Sequence, residues 1–225
     1  MKKKKDNIKL IDIRKIRFAI EIEAEVRNEK LSDKIITRNR TLKGWNLTYD
    51  GSLENGLEIA PTNSNKLYYN DDSLMQIKEV LALLRLYRAK VSKRCGLHIH
   101  VNARNLTDAQ VLTVIKEWAA RQRFIVKKFK VNKERLESTC QLIPKEEIKK
   151  LTEKEIHQFR TRDGYEFLRF DYLNSKYHSL NCTHLAKGGY GSLEFRLFDG
   201  SLNFKEIKSA VYFVLNFFKE SLERE

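Results

Sequence analysis

The chain has 225 residues, of which 44 are lysine or arginine and 30 are aspartate or glutamate, so its formal net charge is +14. With 41% hydrophobic residues and only two prolines, the composition is typical of a globular protein, and no apolar run approaches the roughly 18 residues of a membrane span. The three cysteines, Cys95, Cys140 and Cys182, form no CxxC pair, which argues against a disulfide framework or a cysteine zinc site and favours a reducing cytoplasm.

The length fits one domain. We predict a solvated basic tail over residues 1–6, which begin MKKKK without a signal-type apolar segment after them, and a single domain over residues 7–225. Within it, residues 127–171 are highly charged and are interpreted as a helical insertion. The positive charge favours an anionic partner such as a nucleotide, an acidic peptide or a cell-wall polymer. Nucleic acid is less favoured, because many of the lysines fit ordinary solvated helix faces.

The first half of the chain predicts three strand regions and a helix. Residues 17–27, RFAIEIEAEVR, alternate between apolar and polar side chains and predict a strand. Residues 44–61, GWNLTYDGSLENGLEIAP, contain the turn dipeptides Asp50-Gly51 and Asn55-Gly56, which indicate a hairpin or two short strands. Residues 72–91 carry an apolar stripe at helical spacing and predict an amphipathic helix.

The second half continues the same mixture of strands and helices. Residues 95–102 predict a strand, and Thr107 and Gln110 have the spacing of a capping box that opens a helix. Residues 152–159 give a short helical signal. The segments KYHSLNCTH and GSLEFRLFDGSLN predict two strands, and a last helix begins near Asn203. Together these elements predict an α+β fold: a largely antiparallel sheet with helices packed on one face.

Three of the predicted strands present a pair of ionisable side chains on one face and apolar side chains on the other. Residues two apart in a strand share a face, and the pairs are Glu21 with Glu23, His98 with His100, and Glu194 with Arg196. One such strand alone is more typical of a half-exposed sheet, because alternation is the ordinary strand pattern. Three together predict a metal and phosphate face, because clustered carboxylates need a neutralising cation. Magnesium prefers carboxylate oxygen, and arginine offers a fork for phosphate oxygens.

Four motifs carry a resemblance to a known family: AIEIEAE, GWNLTYDGSLENGLEIAP, CGLHIHVNA and KYHSLNCTHLAKGGYGSLEFRLFDGSLN, in this order between residues 19 and 203. The chain resembles the amidoligase family of carboxylate–amine ligases. The resemblance implies a catalytic core like those of glutamine synthetase and glutamate–cysteine ligase. It also implies ATP-dependent formation of an amide or peptide bond through an acyl phosphate, with ATP and Mg²⁺ or Mn²⁺ as cofactors.

The resemblance also implies a role for each matching residue. The implied metal ligands are Glu21, Glu23, Glu58, His98 and Glu194. The implied catalytic residues are Arg196, His100 and Glu58, and the nucleotide would be bound by His100, Arg196, Asn181 and Tyr177. Asp50 and Ser52 are weaker candidates for the cleft. Ala19 departs from the family pattern, in which glycine commonly precedes the ExE strand.

The implied substrates are a carboxylate and an amine, either small molecules or peptides, including cell-wall fragments, and no membrane partner is expected. KGGYGSLEF lacks the Lys-Ser/Thr ending of a phosphate-binding P-loop, so the sheet itself would have to bind the phosphates. Two alternatives stay open: a metal-dependent hydrolase or nuclease acting on an anionic substrate, and a non-catalytic binding relative. A requirement for ATP would separate them from the ligase. His178 and His184 lack partner spacing and are predicted to be surface residues.

Overall fold

The computed structural model describes residues 11–28, 43–161 and 171–224. The predicted basic tail and residues 162–170 of the charged segment lie outside the described residues. Within these described ranges, six strands form one sheet: β1 (Phe18–Glu25), β2 (Trp45–Asp50), β3 (Gly56–Pro61), β4 (Gly96–Asn102), β5 (Leu180–Asn181) and β6 (Ser192–Asp199). Their order across the sheet is β2-β3-β1-β4-β6-β5, and every neighbouring pair is antiparallel.

The described residues also form helices of very different lengths. They are α1 (Asp71–Leu86), α2 (Asp108–Phe129), α3 (Lys133–Glu137), α4 (Lys145–Lys150), α5 (Glu153–Thr161), α6 (Asp171–Asn174) and α7 (Phe204–Leu222), with 3₁₀ turns at Ile13–Lys15 and Thr183–Leu185. No helix within the described ranges is both long enough and apolar enough to cross a membrane. The predicted α+β fold with an antiparallel sheet is therefore confirmed.

The core lies between the apolar face of the sheet and the long helices α1, α2 and α7. Trp118 of α2 is fully buried at its centre. Its ring centroid lies 4.7 Å from that of Phe195 in β6 and 5.1 Å from that of Phe217 in α7, both in edge-on geometry. Because this face of the sheet is covered, the opposite face remains for polar chemistry.

The helix starts agree with the sequence, but one helix end does not. Thr107 and Gln110 form the predicted capping box at the start of α2. The helix predicted over residues 72–91 ends at Leu86, because Arg88 adopts a left-handed backbone with φ of 54°. The chain then leaves the helix, and Lys90 pairs with the backbone of Glu25 beside β1.

The strand predicted in KYHSLNCTH is also shorter than expected. Leu180 and Asn181 form the short strand β5 that pairs with β6, and the carbonyl of Ser179 accepts a further hydrogen bond from the N–H of Arg196. The Asn181 side chain accepts hydrogen bonds from the backbone N–H of Thr183 at 2.9 Å and from its hydroxyl at 2.8 Å. This Asx turn ends the strand and begins the 3₁₀ turn Thr183–Leu185.

The described part of the charged segment, residues 127–161, contains the end of α2 and the short helices α3, α4 and α5. The buried amide of Gln122 in α2 anchors this segment. It donates to the carbonyl of Ile143 at 2.7 Å and accepts from the N–H of Ile143 at 2.9 Å.

Candidate active site

The strand register brings the three ionisable pairs together on one face. Glu21 of β1 lies opposite His98 of β4, and His100 of β4 lies opposite Glu194 of β6. On the other side of β1, Glu23 lies opposite Glu58 of β3. Since directly opposed residues in a sheet point to the same side, all these groups face away from the apolar core.

Glu21 contacts both histidines of β4. Its Oε2 lies 3.2 Å from Nδ1 of His98, and its Oε1 lies 2.9 Å from Nε2 of His100. Burial opposes ionisation of Glu21, but the adjacent His100 and His98 outweigh it, so the pKa of Glu21 lies well below its usual range. Burial likewise works against a charged His100, but the Glu21 carboxylate outweighs it and raises the pKa of His100.

Glu194 is the most buried carboxylate of the cluster, with a side chain only 2% exposed. Its Oε1 pairs with the guanidinium of Arg196 and lies 3.3 Å from Nδ1 of His98. Its Oε2 accepts a hydrogen bond from the side-chain amide of Asn181 and lies 3.2 Å from Nε2 of His184. Burial raises the pKa of Glu194, but the His184 contact and the other nearby cationic groups outweigh it, and the net shift is strongly downward.

Glu23 and Glu58 extend the negative charge toward β3. Oε2 of Glu23 accepts a hydrogen bond from the backbone N–H of Gly96 at 2.6 Å, and Oε1 of Glu23 lies 3.4 Å from Nε2 of His98. Burial, followed by repulsion from Glu21 and other neighbouring carboxylates, raises the pKa of Glu58 to about 7. The protein alone therefore leaves negative charge at this end of the cluster without enough compensating positive charge.

The donor set fits a divalent cation. Glu21, His98 and Glu194 each offer a ligand atom, and these atoms lie within 4.8 Å of one another. The buried Nε2 atoms of His98 and His100 have no hydrogen-bond partner of acceptable geometry among the described residues. A bound cation would use such nitrogens as ligands and relieve the repulsion that raises the pKa of Glu58.

The other residues predicted to line the cleft differ in whether they contact the carboxylate–histidine cluster. Asn181 contacts the cluster through Glu194. Asp50 accepts hydrogen bonds from the N–H and hydroxyl of Ser52 at 2.9 Å and 2.6 Å, and its charge contributes to the raised pKa of Glu58. Tyr177 is half exposed, and its ring is contacted by the ammonium of Lys176, 5.4 Å from the ring centroid. The structure thus brings Asn181 into the cluster but shows no such contact for Tyr177.

Sequence reasoning missed His184. It was predicted to be a surface residue, but it is partly buried and bound to Glu194, so that prediction is wrong. His178 is also partly buried, and burial lowers its pKa. No strand parity links His184 to the cluster, since it lies in a 3₁₀ turn; the Asn181-x-Thr183 spacing of the preceding Asx turn is the one available signal.

Sequence reasoning also missed Arg135, within the charged segment. Its side chain is 2% exposed and donates to the carbonyls of Arg94 and Arg196, both at 3.1 Å. Its Nε lies 3.5 Å from a carboxylate oxygen of Asp199. Arg135 therefore ties α3 to the ends of β4 and β6 and supports the backbone that carries Arg196.

Comparison with known families places nearly the whole chain within a family model. The family model described as "Putative amidoligase enzyme" matches residues 8–218, which is nearly the whole chain. A search among curated proteins finds no match.

Proposed function

The chain belongs to the amidoligase family, and from this premise we propose that it is an ATP-dependent carboxylate–amine ligase with a core like those of glutamine synthetase and glutamate–cysteine ligase. The observation that carries the proposal is the convergence of Glu21, His98, Glu194 and Arg196 on one polar sheet face. Anionic and cationic groups side by side suit a metal–nucleotide complex, which carries both kinds of charge.

The proposed reaction has two steps. A carboxylate oxygen of the first substrate bonds to the γ-phosphorus of ATP while the bond to the β–γ bridging oxygen breaks, which gives an acyl phosphate and ADP. The nitrogen of the amine substrate then bonds to the acyl carbon, phosphate leaves, and the amine releases a proton. Neither step needs a protein nucleophile, which is consistent with the burial of all three cysteines.

The proposed ligands of Mg²⁺ or Mn²⁺ are Glu21, Glu23, Glu58, His98 and Glu194. When bound, the divalent ion would offset the negative charge of the phosphates. In this arrangement Asn181 holds the Glu194 carboxylate in place through its amide, and the Gly96 N–H does the same for Glu23.

Arg196 and His100 are the proposed phosphate-binding groups. The Arg196 guanidinium lies beside Glu194 and 3.4 Å from Nδ1 of His98, with a side chain 12% exposed. It can therefore meet an anion that enters the cluster, and its rigid fork suits the oxygens of a transferring phosphoryl group. Tyr177 is retained as a proposed nucleotide contact and Glu58 as a proposed catalytic residue.

The proposed substrates are small-molecule or peptide carboxylates and amines, including cell-wall fragments, whose acidic groups would be attracted by the net positive charge. ATP is supplied in the cytoplasm, so we place the reaction there.

The test is ADP release by the purified chain with Mg²⁺, ATP and a panel of amino acids, peptides and peptidoglycan fragments. The ligase predicts ADP formation that depends on the carboxylate and increases with an amine acceptor, together with a product lighter than its two substrates by one water. Metal-dependent cleavage of a substrate without ATP would instead support a hydrolase.

A further inference from the structure

We propose that a cavity between the ends of β4 and β6 and the helices α2 and α7 binds an α-amino acid with an aromatic or large aliphatic side chain. The cavity has a volume of about 530 Å³, which is within the range of small-molecule sites. None of its lining residues is one of those proposed for metal or nucleotide binding. The inference is therefore independent of the proposed ligase reaction.

The floor of the cavity is apolar and largely aromatic. Leu97 of β4 and Ala210 of α7 line it together with Phe129 of α2 and Phe198 of β6, whose ring centroids lie 4.9 Å apart in edge-on geometry. A shift in register between Leu97 and Ile99 pairs Leu97 with Phe198, so Phe198 turns toward α2 on the helical side of the sheet. Two rings at the floor suit another aromatic or branched apolar side chain.

The rim of the cavity offers one group of each charge. Lys205, in the first turn of α7, is exposed, and its ammonium forms no ion pair within the described part of the chain. The side chain of Asp199, at the end of β6, is 39% exposed. Burial raises the pKa of Asp199, although the N–H of Asn132 and the guanidinium of Arg135 oppose this. A ligand carboxylate would thus pair with Lys205, and a ligand ammonium group would pair with Asp199.

The loop that forms the rim is held in place by its own hydrogen bonds. The hydroxyl of Ser201 donates to Oε2 of Glu206 at 2.6 Å and accepts the N–H of Asn203 at 2.9 Å. The N–H of Gly200 donates to the carbonyl of Cys95 at 2.8 Å, and a Cβ on Gly200 would lie 2.6 Å from Cβ of Cys95. The wall is therefore formed before a ligand enters, which lowers the entropic cost of binding.

The experiment measures binding of three probes to the chain by calorimetry, in EDTA and without nucleotide. The probes are L-phenylalanine, 3-phenylpropionate, which lacks the ammonium group, and phenethylamine, which lacks the carboxylate. We expect L-phenylalanine to bind with a dissociation constant of about 1 mM or below and each analogue to bind about tenfold more weakly. Undetectable binding of L-phenylalanine at about 10 mM, or equal binding of either analogue, would overturn the proposal.

Variants of α7 locate the binding. Lys205→Ala should weaken L-phenylalanine binding about tenfold and leave the affinity for phenethylamine unchanged. Lys208→Ala is the matched control, because Lys208 is also exposed on α7 but does not line the cavity. Wild-type affinity for L-phenylalanine in Lys205→Ala would exclude Lys205 as the carboxylate partner and overturn the assignment.

Ser209→Phe tests the cavity itself. Ser209 is exposed and lines the cavity, so a phenylalanine there fills the space from the solvent side without replacing a core residue. The variant should keep the wild-type unfolding transition and lose L-phenylalanine binding. Retained binding would place the amino acid elsewhere, including the polar face, and overturn the proposal. Because the titration contains no ATP or metal, its failure is distinct from failure of the ligase assay.

Discussion

Glu21 lies directly opposite His98 across the β1–β4 pair, and its Oε2 is 3.2 Å from Nδ1 of that ring. The same carboxylate reaches His100, two residues further along β4, with its other oxygen. One side chain can do this because residues two apart in a strand share a face. In the metal-free protein, His100 and the carboxylates of Glu21 and Glu194 therefore stabilise each other's charged forms.

This mutual stabilisation predicts how the stability of the metal-free protein depends on pH. The folded pKa values of Glu21 and Glu194 are lowered, so their contribution is present above the unfolded value of 4.5 and is lost as pH falls below it. The pKa of His100 is raised, so its contribution is complete below 6.5 and is lost as pH rises through the folded value. The free energy that the cluster contributes is thus greatest between these two values.

Urea unfolding in EDTA from pH 3 to 9 measures this effect. Glu21→Gln should make the free energy of unfolding less dependent on pH. The fall in this free energy on the acidic side and on the basic side of the maximum should each shrink by an amount on the order of 1 kcal/mol, because the neutral amide cannot pair with the histidines. Glu54→Gln, at an exposed position, should keep the wild-type profile. An unchanged profile in Glu21→Gln would show that the cluster does not control stability.

Glu23→Gln should weaken binding of Mg²⁺·ATP. The amide keeps the shape of the side chain and can still accept the Gly96 N–H, but it removes one negative charge from the proposed metal ligands. We expect calorimetry to show a loss in affinity of about tenfold or more, with Glu54→Gln as the control. Equal binding by the Glu23 variant would remove Glu23 from the site.

Gly96→Ala tests the packing around His98. A Cβ at Gly96 would lie 2.6 Å from Nη1 of Arg135 and 2.7 Å from Nε2 of His98. Both groups are buried and cannot move away easily, so we expect a stability loss of about 1–3 kcal/mol and weaker Mg²⁺ binding. Gly51→Ala is the matched control, since nothing lies within 4 Å of its added Cβ. Wild-type stability and Mg²⁺ affinity in Gly96→Ala would contradict this packing.

Strand parity explains why much of the polar face could be predicted from sequence. Glu21 with Glu23 and His98 with His100 are fixed relative to each other by the two-residue period of a strand. Parity does not give strand order, so the pairing of Glu23 with Glu58 across β1 and β3 required the structure.

The residues that the sequence did not predict lie where the two-residue period of a strand gives no information about their position. His184 enters the cluster from a 3₁₀ turn, and the burial of Arg135 is set by tertiary contacts with the ends of β4 and β6. The early end of α1 depends on the left-handed backbone of Arg88. Arginine has no side-chain preference for that conformation, so its residue type gave no signal.

The three cysteines should be unreactive in the folded protein. Burial raises the pKa of the Cys182 thiol to about 12 and also raises the pKa values of Cys95 and Cys140. Because the thiolate is the reactive form, we expect a thiol reagent such as DTNB to label none of them at pH 8 until the chain is unfolded, when three should react. Rapid labelling of any one in the native protein would contradict its burial.

In the proposed ligase, the variant Arg196→Lys tests whether Arg196 acts by positioning the phosphoryl oxygens or only through its positive charge. Lysine keeps the positive charge that neighbours Glu194, but it lacks the planar fork that can bind two phosphoryl oxygens at once. If Arg196 acts mainly as the phosphoryl group transfers, the variant should retain most of its ATP affinity. Its turnover should fall by about 10²-fold or more, the effect of losing one preorganised donor.

The measurement is ADP formation with and without an amine acceptor, together with ATP binding by calorimetry, for wild type and variant. Arg121→Lys is the matched control, because Arg121 forms ion pairs with Glu117 and Glu220 on the helical side of the molecule and should tolerate the change. Unchanged turnover in Arg196→Lys would exclude Arg196 from phosphate transfer. Weaker ATP binding with an unchanged kcat at saturating ATP would mean that the guanidinium binds the ground-state nucleotide and the transition state equally well and does not act selectively on the transition state.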